Sequence, residues 1–187
     1  MKMKKIVLMV AAVAMVACSQ AASVSWTCTN VKNSEGTAIS GIAFFVNDAV
    51  LSQADVAKLT SATEWQTALK GMYSYTPETA GKYTSTAVEN ASLGLADAEA
   101  SKAYLVIFDT ASITDESHFF MTEVKEFETL SGTFTQSVKW GSQSGASTAD
   151  GAWGKVKTGG GEPVPEPTSA LLLLLGMAGL ALRRKSA

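Results

Sequence analysis

The sequence predicts a mainly β fold: a single β-sandwich or barrel-like domain with one helical excursion, plus an N-terminal signal peptide and a C-terminal hydrophobic helix. Three observations lead there. The 187 residues suit one domain with its own core and are few for two. Six to eight short β-prone stretches surround one segment of helical period. Two oily runs sit at the chain ends, each beside a cluster of basic residues. The organisation expected is 1–21 signal peptide, 22–157 β-rich extracellular domain, 158–164 Gly/Pro linker, and 165–187 C-terminal segment with a short transmembrane helix.

At the N-terminus, Lys2, Lys4 and Lys5 precede a continuous apolar run from Ile6 to Ala17, and the small-residue boundary "CSQAAS" follows. The run is too short for an ordinary spanning helix and has the flanks of a secretory signal peptide. Ser19 and Ala21 satisfy the small-x-small rule, so cleavage is expected after Ala21, with Ala22 the next choice. "MVAC" also loosely resembles a bacterial lipobox, with Met15 where Leu is usual, and a lipidated Cys18 is the alternative first residue. If Cys18 leaves with the signal peptide, Cys28 is the only mature cysteine and no intramolecular disulfide can form. Cys28 is then a buried small hydrophobe or an intermolecular link.

The mature chain opens on "ASVSWTCTNV", where Val24, Trp26 and Cys28 alternate as in a half-buried strand. "TAISGIAFFVNDAV" has an apolar centre that reads as a buried strand. "SQADVAKLTSATEWQTALKG" then takes a helical period, with Val56, Leu59, Trp65 and Leu69 along one face. Ser52 and Asp55 offer a capping box, Gly71 a stop, and the central Thr-Ser pair a break into two short helices. "MYSYTPETAGKYTSTAV" reads as strand, turn and strand, with Pro77 and Gly81 in the connection. "KAYLVIFDT" is the clearest strand of the chain. "HFFMTEVKEFET" and "GTFTQSVKW" follow as β-prone stretches, "GSQSGASTADGAWG" as a loop, and "AWGKVKT" as a last edge strand.

Composition narrows the function classes. The net charge of −2 is close to neutral, and Lys and Arg concentrate at the two ends, so no basic face exists to meet nucleic acid. His118 is the single histidine, set beside Phe119 and Phe120 in a β-prone stretch, a context in which histidine is more often structural than catalytic. "GSQSG" puts Gln143 where a nucleophile elbow needs Ser. One His and one mature Cys do not build an ordinary zinc site, and no calcium loop, P-loop or dinucleotide fingerprint is present. No catalytic residue, metal or cofactor is therefore expected. A carboxylate pair for glycoside hydrolysis has no sequence spacing by which to be located.

The four tryptophans, Trp26, Trp65, Trp140 and Trp153, offer flat apolar faces suited to stacking on sugars, though core placement is the commoner use of any one Trp. Trp140 and Trp153 flank the Gly/Ser loop and form the candidate exposed pair for glycan stacking.

The C-terminus reads "VPEPTSALLLLLGMAGLALRRKSA". Pro165-Glu166-Pro167 is extended by its prolines, and Ala170 to Leu182 carries no charge. At about 1.5 Å per residue this run covers part of a hydrocarbon core of about 30 Å. Arg183, Arg184 and Lys185 favour the cytoplasmic side at its far end. Upstream, "TGGGEPVPEP" has the composition of a linker that turns from flexible to stiff.

Those three parts, in that order, resemble the PEP-CTERM sorting signal. The resemblance covers the last two dozen residues and implies a Gram-negative, exported protein that uses Sec-type export machinery and signal peptidase. It implies an inner-membrane intermediate held by the C-terminal helix, processed by exosortase at Pro165-Glu166-Pro167, and final placement at the cell surface or outside the cell. The family's association with extracellular polysaccharide comes with it. Two functions then compete for the central domain: a non-enzymatic surface or matrix protein, and a module that binds extracellular polysaccharide. A secreted hydrolase stands third.

Overall fold

A computed structural model describes residues 21–149 and 151–157. Among the described residues nine strands form two sheets. In the first, β1 (Ser23–Thr29) lies at the centre, antiparallel to β4 (Tyr83–Glu89) and parallel to β8 (Thr135–Ser142). The second is antiparallel throughout, in the order β3 (Tyr73–Tyr75), β2 (Ala43–Asn47), β5 (Ala100–Phe108), β6 (His118–Met121) and β9 (Gly154–Lys155). β7 (Lys125–Glu128) joins the N-terminal half of β5 on the edge that β6 uses further along. No strand is shared between the sheets, so the domain is a sandwich rather than a barrel.

The continuous apolar runs of β2 and β5 arise because the larger sheet is covered on both faces. Ala43 and Phe45 of β2, with Ala103, Leu105 and Ile107 of β5, face the small sheet. There they meet Val24, Trp26 and Cys28 of β1, and Val138 and Trp140 of β8. The alternate residues, Phe44, Val46, Tyr104, Val106 and Phe108, face the opposite way and are covered by the helical segment. The molecule is thus three layers deep: small sheet, large sheet, helices.

That helical segment does split. α1 (Gln53–Val56) starts at Ser52, whose Oγ accepts from Asp55 N at 3.2 Å and donates to Asp55 Oδ2 at 2.7 Å. α2 (Ala62–Ala68) has a second cap, in which Ser61 Oγ accepts from Glu64 N and Thr60 N donates to Glu64 Oε2 at 2.7 Å. Val56, Trp65 and Leu69 are buried on the sheet and Leu59 is partly so, the face read from the periodicity.

The strand, turn and strand around Pro77 and Gly81 are present, and the turn carries the chain across the sandwich: β3 pairs with β2 in the large sheet and β4 with β1 in the small one. Two elements differ from expectation. "HFFMTEVKEFET" is two strands, because an extra residue is accommodated opposite β5 between the Val106↔Met121 and Ala103↔Lys125 pairs. Thr122 closes the gap: its Oγ1 accepts from Leu105 N at 2.9 Å, and its own N donates to Leu105 O at 3.0 Å. Finally, the Gly/Ser loop contains a short helix, α3 (Ser144–Ser147), tied down by buried Ser147, whose Oγ accepts from Lys32 N at 3.1 Å.

One close approach fixes the crossing between layers. A Cβ on Gly41 would lie 1.9 Å from Phe108 O, so only glycine lets β5 and the entry to β2 meet there. The Gly41 carbonyl also accepts the buried Tyr83 hydroxyl at 3.1 Å, linking β4 to the large sheet.

Candidate functional site

The residues singled out at the C-terminus, Pro165, Glu166 and Pro167 with Arg183, Arg184 and Lys185, lie outside the described residues, as does the apolar run between them. Among the described residues no helix is long and apolar enough to cross a membrane. At the other end the described chain begins at Ala21, which is exposed. Ala22 is buried, and its carbonyl accepts Asn90 N at 2.8 Å. Among the described residues Ala22 is the first to be buried.

The expected exposed tryptophan pair does not exist. Trp140 is 4 % exposed. It sits in the inter-sheet core because inward positions of β8 alternate through Val138 and Trp140, and its Nε1 donates to Glu123 O at 2.8 Å. Trp26 and Trp65 are buried as well. Trp153 alone is half-buried: one side of its ring meets Phe120 at 5.8 Å between centroids, and its Nε1 donates to Lys32 O at 3.0 Å and to Ser147 O. These bonds fix the indole at the end of the α3 segment, where it forms one wall of a cleft.

That cleft is the place in the domain where chemically varied side chains converge. It has a volume of about 190 Å³ and is lined by Asn33, Ser34, Glu35, Asp109, His118 and Trp153. Asp109 follows the last residue of β5 and His118 opens β6, so the antiparallel pairing Phe108↔Phe119 brings the two together. Asp109 Oδ1 accepts from His118 N at 2.8 Å, and Asp109 Oδ2 lies 3.0 Å from His118 Nδ1. With Asp109 oriented on Nδ1, Nε2 is the ring nitrogen left for a ligand. The imidazole is 49 % exposed, with its ring held by Asp109.

The opposite wall comes from a tight turn. Asn33 Oδ1 accepts from Glu35 N at 3.2 Å and from Thr37 N at 2.8 Å, a side-chain-capped turn that presents Ser34 and Glu35 outward. Ser34 and His118 share the cleft, but no hydrogen bond joins the Ser34 hydroxyl to the ring among the described residues. The arrangement sets an Asp109-oriented imidazole, a hydroxyl and a carboxylate beside an indole. It can accept and donate hydrogen bonds around an aromatic wall.

The other reactive groups are buried. Burial pushes the Cys28 thiol up to about 12, so the thiolate that alkylation or exchange requires is absent at neutral pH. Tyr75 and Tyr83 beside it are also pushed up, chiefly by burial, which keeps this core neutral. No group of three or more metal-ligating side chains occurs among the described residues.

Of the cleft residues, sequence reasoning singled out Trp153, read His118 as structural, and did not reach Asn33, Ser34, Glu35 or Asp109. Asp109 was within reach: in a hairpin with Phe108 opposite Phe119, the next facing residues are 109 and 118. The Asn33 turn comes from a distant part of the chain and has no local signal for its neighbours.

No curated protein and no solved structure matches the chain. One family model does, over residues 163–185. The C-terminal segment of this chain carries the PEP-CTERM protein-sorting motif, the mark of an exported protein directed to exosortase.

Proposed function

We propose that the chain is a non-enzymatic surface or extracellular-matrix protein. In this reading its β-rich domain, 22–157, is released from the signal peptide after Ala21 and delivered through exosortase processing at Pro165-Glu166-Pro167. The single observation that carries the reading is the sorting motif at 163–185, which begins six residues after the last described residue of the fold. The burial of Ala22 and the hydrogen bond to its carbonyl support cleavage before that residue rather than after it. Arg183, Arg184 and Lys185 serve as the cytoplasmic stop that holds the chain until processing.

The test is the intact mass of the protein from producing cells, with and without exosortase. The expected mature form starts at Ala22 and lacks the basic tail, and cells without exosortase retain the tail. A mature surface protein that still ends in Arg183-Arg184-Lys185, or that starts at a lipidated Cys18, would overturn this route.

A further inference from the structure

We propose that the cleft between the Asn33 turn and the start of β6 binds a single neutral sugar ring. The proposal goes beyond the sorting route and concerns the isolated binding chemistry of the domain. A pyranose presents an apolar C–H face and a rim of hydroxyls, each both donor and acceptor. The cleft offers the matching set. Trp153 supplies a flat apolar wall, held in place by the bonds from its Nε1 to Lys32 O and Ser147 O.

The remaining five lining residues are polar and differ in kind. Glu35 and the free lone pairs of Asp109 accept; the Asn33 amide donates, since its Oδ1 is spent on the turn; the Ser34 hydroxyl adapts to either role, and His118 Nε2 of the neutral ring accepts while Nδ1–H faces Asp109. Two of these groups are prepositioned by bonds to the backbone, Asp109 by His118 N and Asn33 by its own turn, so little ordering accompanies binding.

Size and charge narrow the class further. At about 190 Å³ the cleft falls below the roughly 300–1,000 Å³ typical of pockets for drug-sized ligands. One ring fits, and the rest of a chain would lie outside. Two carboxylates line the cleft: Asp109 has the His118 imidazole 3.0 Å away, and Glu35 has no cationic partner among the described residues. A uronic acid or a phosphorylated sugar is therefore repelled. No group of three or more metal-ligating side chains stands here to hold a bare metal ion among the described residues, and an apolar ligand would leave the polar rim unpaired.

Ligand-observed saturation-transfer NMR on the full chain in detergent micelles tests this, with methyl glucoside, methyl galactoside, methyl mannoside and N-acetylglucosamine as probes and glucuronate as the charged comparison. At least one neutral sugar is expected to receive saturation, with a dissociation constant on the order of 1 mM. Glu35→Ala and Asp109→Asn should each weaken it about tenfold, the loss typical of a hydrogen bond to a charged group. The Glu35 carboxylate has no protein partner among the described hydrogen bonds and ion pairs, so its removal leaves the fold intact; unchanged thermal unfolding verifies that.

No transfer to any neutral sugar would overturn the proposal. So would binding undiminished in both variants, or glucuronate bound more tightly than the neutral probes. The readout does not depend on where the chain is sorted, so a failed sorting test and a failed binding test are separate results.

Discussion

The two faces of the large sheet solve the same problem differently. Facing the small sheet, the tryptophan at the centre is satisfied: Trp26 Nε1 donates to Tyr75 Oη at 2.9 Å, within a cluster of Phe45, Tyr73 and Tyr75 rings. On the helical face, Trp65 is equally buried but its Nε1 has no hydrogen-bond partner. It packs against Phe108 at 5.4 Å and Phe119 at 4.4 Å instead. One face is closed by strands that are bonded to their neighbours along their length. The other is closed by two short helices held by caps and by one large side chain. The difference teaches that the sandwich is the structural body of this domain and the helical layer a cover fastened at a few points.

The largest expected effects test both centres. Trp26→Ala and Trp65→Ala should each cost about 3–5 kcal/mol in urea unfolding. Trp26→Ala should unfold the whole domain cooperatively. Trp65→Ala should first expose the α1–α2 segment to protease while the sheets persist, and a single concerted loss in both variants would show the layers to be one unit. Next, Thr122→Val should cost about 1–3 kcal/mol, because buried Leu105 N loses its acceptor. An unchanged urea midpoint would mean that the interruption between β6 and β7 needs no bridging hydroxyl.

The comparison sharpens with a conservative pair. Trp26→Phe should be more destabilising than Trp65→Phe by about 1 kcal/mol, since only the first substitution breaks a hydrogen bond. Equal losses would remove the distinction between the faces. Ser61→Ala should lower stability by about 1 kcal/mol through loss of the α2 cap, measured by thermal unfolding.

The smallest effect is acid sensitivity. Bonds to Lys58 and Ser52 hold Asp55 below the usual carboxylate range, the Thr60 amide does so for Glu64, and the Ala62 amide for Asp115. All three belong to the helical cover or cap it. Their folded values are depressed, so their stabilisation is present above the ordinary carboxylate range and fades as pH falls through the lowered values. Protease sensitivity of the α1–α2 segment should therefore rise on acidification below about pH 4, before the β signal in circular dichroism changes. A cover that resists protease down to about pH 2 would contradict the assignment.

Much of this fold was legible. The run "KAYLVIFDT" read as the clearest strand and forms β5, and Ser52 with Asp55 marked a helix start that formed as written. What the sequence hid was pairing at a distance. Nothing local tells β3 from β4 as members of different sheets, because each is short, aromatic or Thr-rich and compatible with either. The Gly/Ser loop was read as irregular, since Ser147 anchors α3 through a residue more than a hundred positions away. Trp140 illustrates the limit most sharply. A loop on one side suggested exposure, but strand alternation from Val138 decided the matter and sent it inward. Half of the cleft was similarly out of view, for Glu35 and Asp109 meet only once β5 and the Asn33 turn are in place.

The central position of β1 has a consequence for timing. The first strand of the domain is completed on one side by β8, with Ser23 opposite Thr135 and Thr29 opposite Ser142. A chain that crosses a membrane N-terminus first cannot close its small sheet until residue 142 has emerged, and contacts this far apart in sequence form slowly in any case. In such a passage β1 would wait for its β8 neighbour, and α3 and β9 would be the last parts of the sandwich to join.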